Sequence, residues 1–208
     1  MMEFLQENAS AIFALAGVFG GSLLSFWGTW LLKRRDLQLR LCEKVIDRRL
    51  ASHDAVITLA KELRKTGILY DEATSFEDRA PICFCTPEDF DKFNTVFALT
   101  MVEHSTWLSA SLVRELHLLQ EYLVNVQIRI REVGKNKTFE LGCIIREDFI
   151  SFSSRIEQFA IEYFSKIQRL ENLKYPTETY YSEKERKSRL AMTALSRKSD
   201  DIWAISKS

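Results

Sequence analysis

The longest apolar stretch of the chain lies near its beginning. Residues 11–32 read AIFALAGVFGGSLLSFWGTWLL without one charged side chain, and the basic triplet Lys33-Arg34-Arg35 follows directly. A helix rises ~1.5 Å per residue, so about twenty apolar residues match a hydrocarbon core roughly 30 Å thick. The pattern therefore predicts one transmembrane helix over 11–32, preceded by a short extracytoplasmic leader, residues 1–10.

A cleaved signal peptide is the main alternative, because it too would be N-terminal and apolar. The leader carries Glu3 and Glu7 and has neither Lys nor Arg, whereas a signal peptide starts with basic residues and ends in a cleavage site of small residues. Tryptophan favours the membrane interface and basic flanks favour the cytosol. We expect a single-pass protein of the inner (cytoplasmic) membrane with its N-terminus outside. The residues expected at the inner interface are Trp27, Trp30, Lys33, Arg34 and Arg35.

Small residues recur on one face of the predicted span. Gly17, Gly21 and Ser25 are four positions apart, which leaves a flat strip where a second helix can approach closely. This row predicts a homo-oligomeric membrane contact, and the alternative is that small residues are simply common in membrane helices. Because the span contains no Asp, Glu, Lys, Arg or His, a selective channel through a single helix is poorly supported. A weakly polar pore formed by several copies stays open as an alternative.

Few helix breakers interrupt the remaining residues. The chain has 3 prolines and 7 glycines, and Gly17, Gly20, Gly21 and Gly28 all lie in the predicted span. Long helices are therefore favoured over many short strands. Just after the basic triplet, inward positions recur in steps of three and four, which predicts that the first helix continues out of the membrane. These positions are Leu39, Cys42, Ile46, His53, Val56, Ala60 and Leu63.

An acidic loop over 66–86 and a second long helix follow. Thr86 and Pro87 suit the cap and the first position of a helix, and this helix is predicted to run to about Val133. Leucine, valine and isoleucine alternate there in steps of four and three, as in a coiled coil. This predicted seam consists of Leu112, Leu116, Leu119, Leu123, Val126 and Ile130.

Gly134 breaks the second helix, and a third is predicted from Thr138 or from just after Gly142. Its core face is aromatic and adds Phe149, Phe152 and Phe159 to the seam residues. Pro176 should end it, because proline disfavours helix in the residue before it. A shorter basic helix is predicted from about Ser182 to Arg197, and the last ten residues are expected to be loose or docked.

Together these elements predict an all-α protein. A single N-terminal transmembrane helix precedes a cytosolic antiparallel bundle of long, coiled-coil-like helices over 33–175, and a basic C-terminal helix and tail occupy 176–208. Within one chain the two seams would face each other. The alternative is that they form an intermolecular coiled coil, in which case the seam residues would be a partner surface.

Charge is unevenly distributed although the formal net charge is zero. Residues 33–65 hold 10 Lys or Arg against 5 acids, residues 66–110 hold 8 acids against 2 bases, and residues 174–208 hold 8 bases against 5 acids. Cations beside the membrane attract anionic headgroups by about 1 kcal/mol each, so membrane lipids are expected partners. Nucleic acid is an unlikely partner, because no binding motif is present and the bases alternate with acids along helices.

Candidate chemistry is sparse. Cys83 and Cys85 form a Cys-Phe-Cys pair, but structural zinc sites use wider spacings, and neither Cys42 nor Cys143 has a second ligand nearby. The carboxylates on the predicted helices lack the Glu-x-x-His pairing of di-metal bundles. Phosphate-binding glycine loops and nucleophile elbows are also absent. We expect no catalytic residues, no metal and no cofactor, and hence a protein that is not an enzyme.

The segment GVFGGSLLSFWGTWLLKRRDLQLRLCEKVIDRRLASHDAVITLAKEL resembles the opening of many uncharacterised bacterial membrane proteins, which carry a glycine-rich span and a basic helical stalk. The resemblance covers about the first 65 residues and implies no functional residues. Similar small proteins occur as effector or accessory subunits of bacterial antiviral defence systems. Two functions are therefore expected: a membrane-anchored helical interaction module with a cytosolic protein partner, or an oligomerising effector that perturbs the bilayer.

Overall fold

The computed structural model describes residues 9–68, 79–168 and 179–207, and these residues are mostly helical. The described helices are α1 (Ala9–Arg64), α2 (Pro87–His104), α3 (Ala110–Val133), α4 (Thr138–Gln168), α5 (Glu183–Ala191), α6 (Ala194–Arg197) and α7 (Ser199–Lys207). Two short strands, β1 (Thr66–Ile68) and β2 (Arg79–Pro81), pair antiparallel with Gly67 opposite Ala80. The prediction of an all-α protein is confirmed, with this two-stranded ladder as an addition inside the predicted acidic loop.

The chain divides into two units, Met1–Arg48 and Arg49–Ser208. The described part of the first unit consists of helix from Ala9 onward, and its side chains are exposed almost throughout. The second unit contains the buried core. Most of the leader, the acidic stretch over 71–78 and the predicted helix end at Pro176 lie outside the described residues.

The residues predicted to face inward along the first helix differ in their solvent exposure. Leu39 is 60% exposed and Cys42 is also exposed, whereas His53 and Val56 are fully buried. The prediction that Leu39 and Cys42 face inward is therefore wrong for this chain. Leu39 and Cys42 belong to the first unit. His53 and Val56 belong to the second unit, where the core covers them.

The predicted start of the second helix is confirmed. The Thr86 hydroxyl accepts a hydrogen bond from the Asp89 backbone N–H at 3.1 Å, and Pro87 is the first helical residue. A cap of this kind satisfies one of the amides that a helix leaves unpaired at its N-terminus. The neighbouring Asp89 carboxylate accepts the Thr86 hydroxyl hydrogen, which lowers the pKa of Asp89.

The prediction of one helix from Pro87 to Val133 is wrong, because it ends at His104 and resumes at Ala110. A 3-10 turn over Ser105–Trp107 and an extended Leu108 separate the two helices. Side chains of the first helix form hydrogen bonds with groups at this break. His53 Nε2 accepts the Ser109 backbone N–H at 3.4 Å, and His104 Nδ1 lies 3.1 Å from the Ser52 hydroxyl.

The core of the second unit lies where α4 packs against α3 and against β2. Gly134, with φ 94°, ends α3 as predicted, and α4 begins at Thr138. Gly142 allows the close approach of the loop after β2, because a Cβ there would lie 2.5 Å from the Phe84 Cβ. The fully buried Phe84 ring contacts the Phe149 ring edge-on at 5.2 Å between centroids.

The C-terminal segment differs from the single basic helix predicted over 182–197. Ser182 caps α5 by accepting the Glu185 N–H at 3.3 Å, but α5 ends at Ala191 and α6 starts at Ala194. The tail is also helical, and Ile202 of α7 is buried in the core. The break between α5 and α6 has a physical cause in the Asp148 carboxylate, which binds the backbone there.

Candidate functional site

The small-residue row of α1 faces open space. A Cβ added at Gly17 or Gly21 would meet no atom within 4 Å, and Ser25 is exposed. The apolar side chains around this row are exposed as well, including Phe19 at 64% and Leu24 at 78%. Within the described residues, no other part of the chain packs against this face of α1. One helix is thus long and apolar enough to cross a membrane, with a mean hydropathy of 1.4 and no buried residue in its apolar window.

Two hydroxyls of this apolar stretch form hydrogen bonds within the helix. The Ser22 hydroxyl donates to the Val18 carbonyl at 2.7 Å, and the Thr29 hydroxyl donates to the Ser25 carbonyl at 2.8 Å. Such bonds remove the cost of placing a hydroxyl in a medium without water.

The predicted interface residues lie at the C-terminal end of this apolar stretch. Trp27 and Trp30 are 66% and 51% exposed, and the basic triplet that follows is exposed too. The Arg34 guanidinium lies 5.6 Å from the centre of the Trp30 ring. The side chains here are amphipathic, with an apolar body and a charged or N–H tip, as suits a membrane boundary.

The predicted seams lie inside the chain. Every α3 seam residue is buried, as are Phe149 and Phe152 of α4, and Phe159 packs partly buried against the same core. The α3 members are Leu112, Leu116, Leu119, Leu123, Val126 and Ile130. These side chains form part of the core of the second unit.

A buried carboxylate connects α3, α4 and the C-terminal segment. Glu115 is fully buried and pairs with the Arg155 guanidinium from α4 and, at 3.2 Å, with Arg189 from α5. The Tyr181 hydroxyl also donates to Glu115, at 2.9 Å, and burial next to this carboxylate raises the pKa of Tyr181 to about 12. Glu115 therefore has its charge and lone pairs satisfied by groups of this chain.

Asp148 binds the C-terminal segment at a second point. Its carboxylate accepts the backbone N–H groups of Ala194 at 2.7 Å and Leu195 at 3.0 Å, and the Tyr122 hydroxyl at 2.8 Å. Burial, followed by the nearby Asp148 charge, raises the pKa of Tyr122 well above its usual value. The carboxylate thus caps the start of α6, where a free helix would leave its amides unpaired.

His53 is a buried neutral histidine. Its Nδ1 donates to the Arg49 carbonyl at 2.8 Å, its Nε2 accepts from Ser109, and its ring stacks on Tyr163 at 3.8 Å. Burial lowers the pKa of His53 to about 4. A histidine that already uses both nitrogens in this way is structural and has no position left for a metal or a substrate.

Two cavities lie between α3 and the C-terminal segment. The first has a volume of about 580 Å³ and is lined by residues of α3 from Arg114 to Val124 and by residues 180–186. The second has a volume of about 330 Å³ and is lined by residues of α3 from Tyr122 to Glu132 and by residues 190–196. Sequence reasoning missed these cavities, because they depend on where the C-terminal segment docks.

The cysteines are poor candidates for chemistry. Burial raises the pKa of Cys83 to about 12 and also raises that of Cys85, so both remain protonated thiols near neutral pH. A thiol is a much weaker nucleophile and metal ligand than a thiolate. Within the described ranges, no group of three or more His, Cys, Asp or Glu side chains could hold a metal ion.

No family model, no curated protein and no solved structure matches this sequence.

Proposed function

We propose that this protein is a membrane-anchored helical interaction module that recruits, senses or scaffolds a cytosolic protein partner at the inner membrane. The observation that carries the proposal is the contrast within α1. Its uncharged N-terminal part exposes large apolar side chains with nothing against them, while its C-terminal part enters the core of the second unit. Exposed apolar area on this scale is costly in water and favourable in a bilayer.

The polar groups of the second unit support a binding role more than a catalytic one. Glu115 and Asp148 are saturated by arginine, tyrosine and backbone N–H groups, and His53 uses both of its nitrogens. A catalytic acid, base or nucleophile has to reach a substrate from a cleft. In the part of the chain that the structure describes, these buried groups hold neighbouring elements together through hydrogen bonds and ion pairs.

The anchor is tested by expressing the full chain in a bacterium and washing its membranes at alkaline pH. We expect the protein to stay in the pellet and to be released only by detergent. The double substitution Phe19→Arg and Leu24→Arg places two charges at the centre of the span, each costing about 2.5–3.5 kcal/mol, and should move the protein to the wash. Leu37→Arg and Leu41→Arg, beyond the span, form the matched control. Release of the unmodified protein by the wash would end the proposal.

The second candidate is an oligomerising membrane effector that perturbs the bilayer. The open space beside Gly17 and Gly21 favours it, because a second helix could approach there. Expression should then depolarise cells under a trigger, and Gly17→Leu or Gly21→Leu should abolish the effect while the protein still inserts. Leu23→Phe, on the opposite face of the helix, is the control. Unchanged depolarisation in both glycine variants would count against oligomerisation through this row.

A further inference from the structure

The stalk, residues 33–48 of α1, follows the predicted span and belongs to the first unit. All of its residues except Ile46 are exposed, and among the apolar ones Leu39 is 60% exposed and Val45 is 42% exposed. In the proposed function this stretch lies below the membrane, in water. A helix of about 15 residues is marginal in water without packing, and its exposed apolar surface adds to the cost. A second helix along its side would stabilise the stalk.

One face of the stalk follows a seven-residue repeat. Leu39, Cys42 and Ile46 are separated by steps of three and four, which places their side chains on one side of the helix. One step of four before Leu39 leads to Arg35, at the predicted membrane interface. This spacing is that of the packing face of a coiled coil.

The same repeat continues into the predicted span. Steps of three and four back from Arg35 lead to Leu32, Gly28, Ser25 and Gly21. The helix is unbroken over both parts, so a seven-residue repeat keeps all these residues on one side of two helices that wind around each other. A Cβ added at Gly21 or Gly28 would meet no atom within 4 Å, and Leu32 is 70% exposed. This face from Gly21 to Ile46 is called the α1 seam below.

A second copy of the chain fits the whole length of the α1 seam. Lipid can cover the part inside a bilayer, but it cannot cover the stalk below it. A cytosolic protein can cover the stalk, but it cannot cover the span. A second α1 inserted in the same direction lies beside both parts and presents the same residues at the same depth, as a two-fold symmetric contact requires.

The charges of the stalk are compatible with such a pair. Arg40 and Lys44 lie away from the α1 seam in the seven-residue repeat, and Arg40 pairs with Asp36 of the same helix at 3.0 Å. Arg35 is the charged member of the α1 seam. Its long side chain can extend from the predicted interface to anionic headgroups, so the two arginines need not face each other.

We propose that two copies of this chain pair in parallel along the α1 seam, as a two-stranded coiled coil from Gly21 in the span to Ile46 in the stalk. The inference goes beyond the proposed function, because an anchored module needs only one copy. It rests on the membrane anchor for the parallel direction. Across a parallel pair each seam residue faces its own counterpart, so the two Cys42 thiols lie opposite each other.

The test is a cysteine scan of the full chain in isolated bacterial membranes. The four native cysteines are replaced by alanine, and a single cysteine is introduced in turn at each position from 37 to 47. After oxidation with copper phenanthroline, we expect at least about tenfold more disulfide-linked dimer at positions 39, 42 and 46 than at 37, 40, 41 and 44, because a disulfide needs Cβ atoms about 3.8 Å apart. The scan is repeated on purified chain in detergent micelles, where no other protein is present.

A second measurement uses the native cysteines, in case the cysteine-free chain is unstable. Oxidation should link two copies, and Cys42→Ala should remove the link. Leu39→Glu should lower the amount of this dimer at least about tenfold, because it places an unpaired charge in the α1 seam. Leu41→Glu is the matched control, since Leu41 is 55% exposed on the same helix but lies off the seam. Circular dichroism shows whether each variant is folded.

The proposal is overturned if the purified chain forms no dimer or if all positions link equally, as in random collisions. A maximum at positions 38, 41 and 45 would place the contact on another face and would also overturn it. A Cys42 link to a different protein in membranes would exclude a second copy as the occupant. The alkaline wash tests the anchor separately: a chain that stays in the pellet but does not dimerise contradicts this inference alone.

Discussion

The exposed part of α1 and the seam of α3 have the same kind of sequence pattern and opposite environments. Both carry apolar or small residues in steps of three and four. Around Gly17 and Gly21 there is open space, whereas Leu116 and Leu119 have no exposed surface. The difference between the two helices lies in their other faces, since α3 has charged residues there and the predicted span has none. Periodicity alone therefore predicts that a helix has a packing face. The presence of charged residues on the opposite face favours a helix of a water-soluble unit, and their absence favours a helix in lipid.

The largest expected effect comes from comparing one phenylalanine in each environment. Phe149 is fully buried between Phe84 and Tyr122, while Phe19 is 64% exposed. Phe149→Ala should lower the free energy of unfolding of the second unit by about 3–5 kcal/mol, because it leaves a cavity. Phe19→Ala should leave it within about 0.5 kcal/mol. Urea titrations of the full chain in detergent, followed by circular dichroism, measure both. Equal losses would contradict the division into two environments.

The next effect concerns the buried charge of the second unit. Glu115→Gln should lower the free energy of unfolding by about 3 kcal/mol, because Arg155 and Arg189 lose their buried counter-charge. The control is Glu62→Gln, which removes an exposed pair with Lys65 and should cost at most about 1 kcal/mol. The same urea titrations apply. A Glu115 variant as stable as the control would show that the cluster does not fasten the C-terminal segment.

A glycine in each region tests packing at a finer scale. Alanine is the better helix former by about 1 kcal/mol, so Gly→Ala in open space should be neutral or stabilising. Gly20→Ala in α1 has that open space. Gly142→Ala would push against Phe84 and Ala80, and we expect a loss of about 1–3 kcal/mol in thermal or urea unfolding. A stabilised Gly142 variant would mean that β2 and α4 are not in close contact.

The last effect is a pH dependence of the second unit, which is small over any one pH unit. Burial lowers the pKa of His53 from 6.5 to about 4, so the folded chain binds fewer protons than the unfolded chain between these values. Stability is then complete above pH 6.5 and falls as the pH drops towards 4, by at most about 1.4 kcal/mol per pH unit. His53→Gln should remove this dependence and His117→Gln should keep it. An unchanged slope in the His53 variant, measured by urea titration at several pH values, would refute the assignment.

Local signals in the sequence predicted much of the helical structure. Thr86 with Pro87 marks a helix start, and Gly134 marks a helix end. These signals involve residues only a few positions apart, so they can be recognised without knowing the fold. The break at Ser105 to Ser109 could not be predicted in this way, because the amide lost from the helix finds its acceptor on His53, far away in sequence. The break before α6 likewise depends on Asp148.

The candidate site was predictable only in the apolar N-terminal part of α1. The residues from Gly17 to Arg35 carry their signal in composition, and they are exposed in the structure. The cavities beside α3 are different, because their walls come from α3 and from residues about seventy positions later.

The claim that α1 crosses the membrane once, with the second unit in the cytosol, is tested most directly by thiol labelling. Cys42 is exposed just after the basic triplet and can serve as the single thiol once Cys83, Cys85 and Cys143 are replaced by alanine. A second protein carries Glu7→Cys instead of Cys42. With a membrane-impermeant maleimide on intact spheroplasts, we expect labelling at position 7 at once and at Cys42 only after permeabilisation. Labelling of Cys42 in intact spheroplasts would contradict the account.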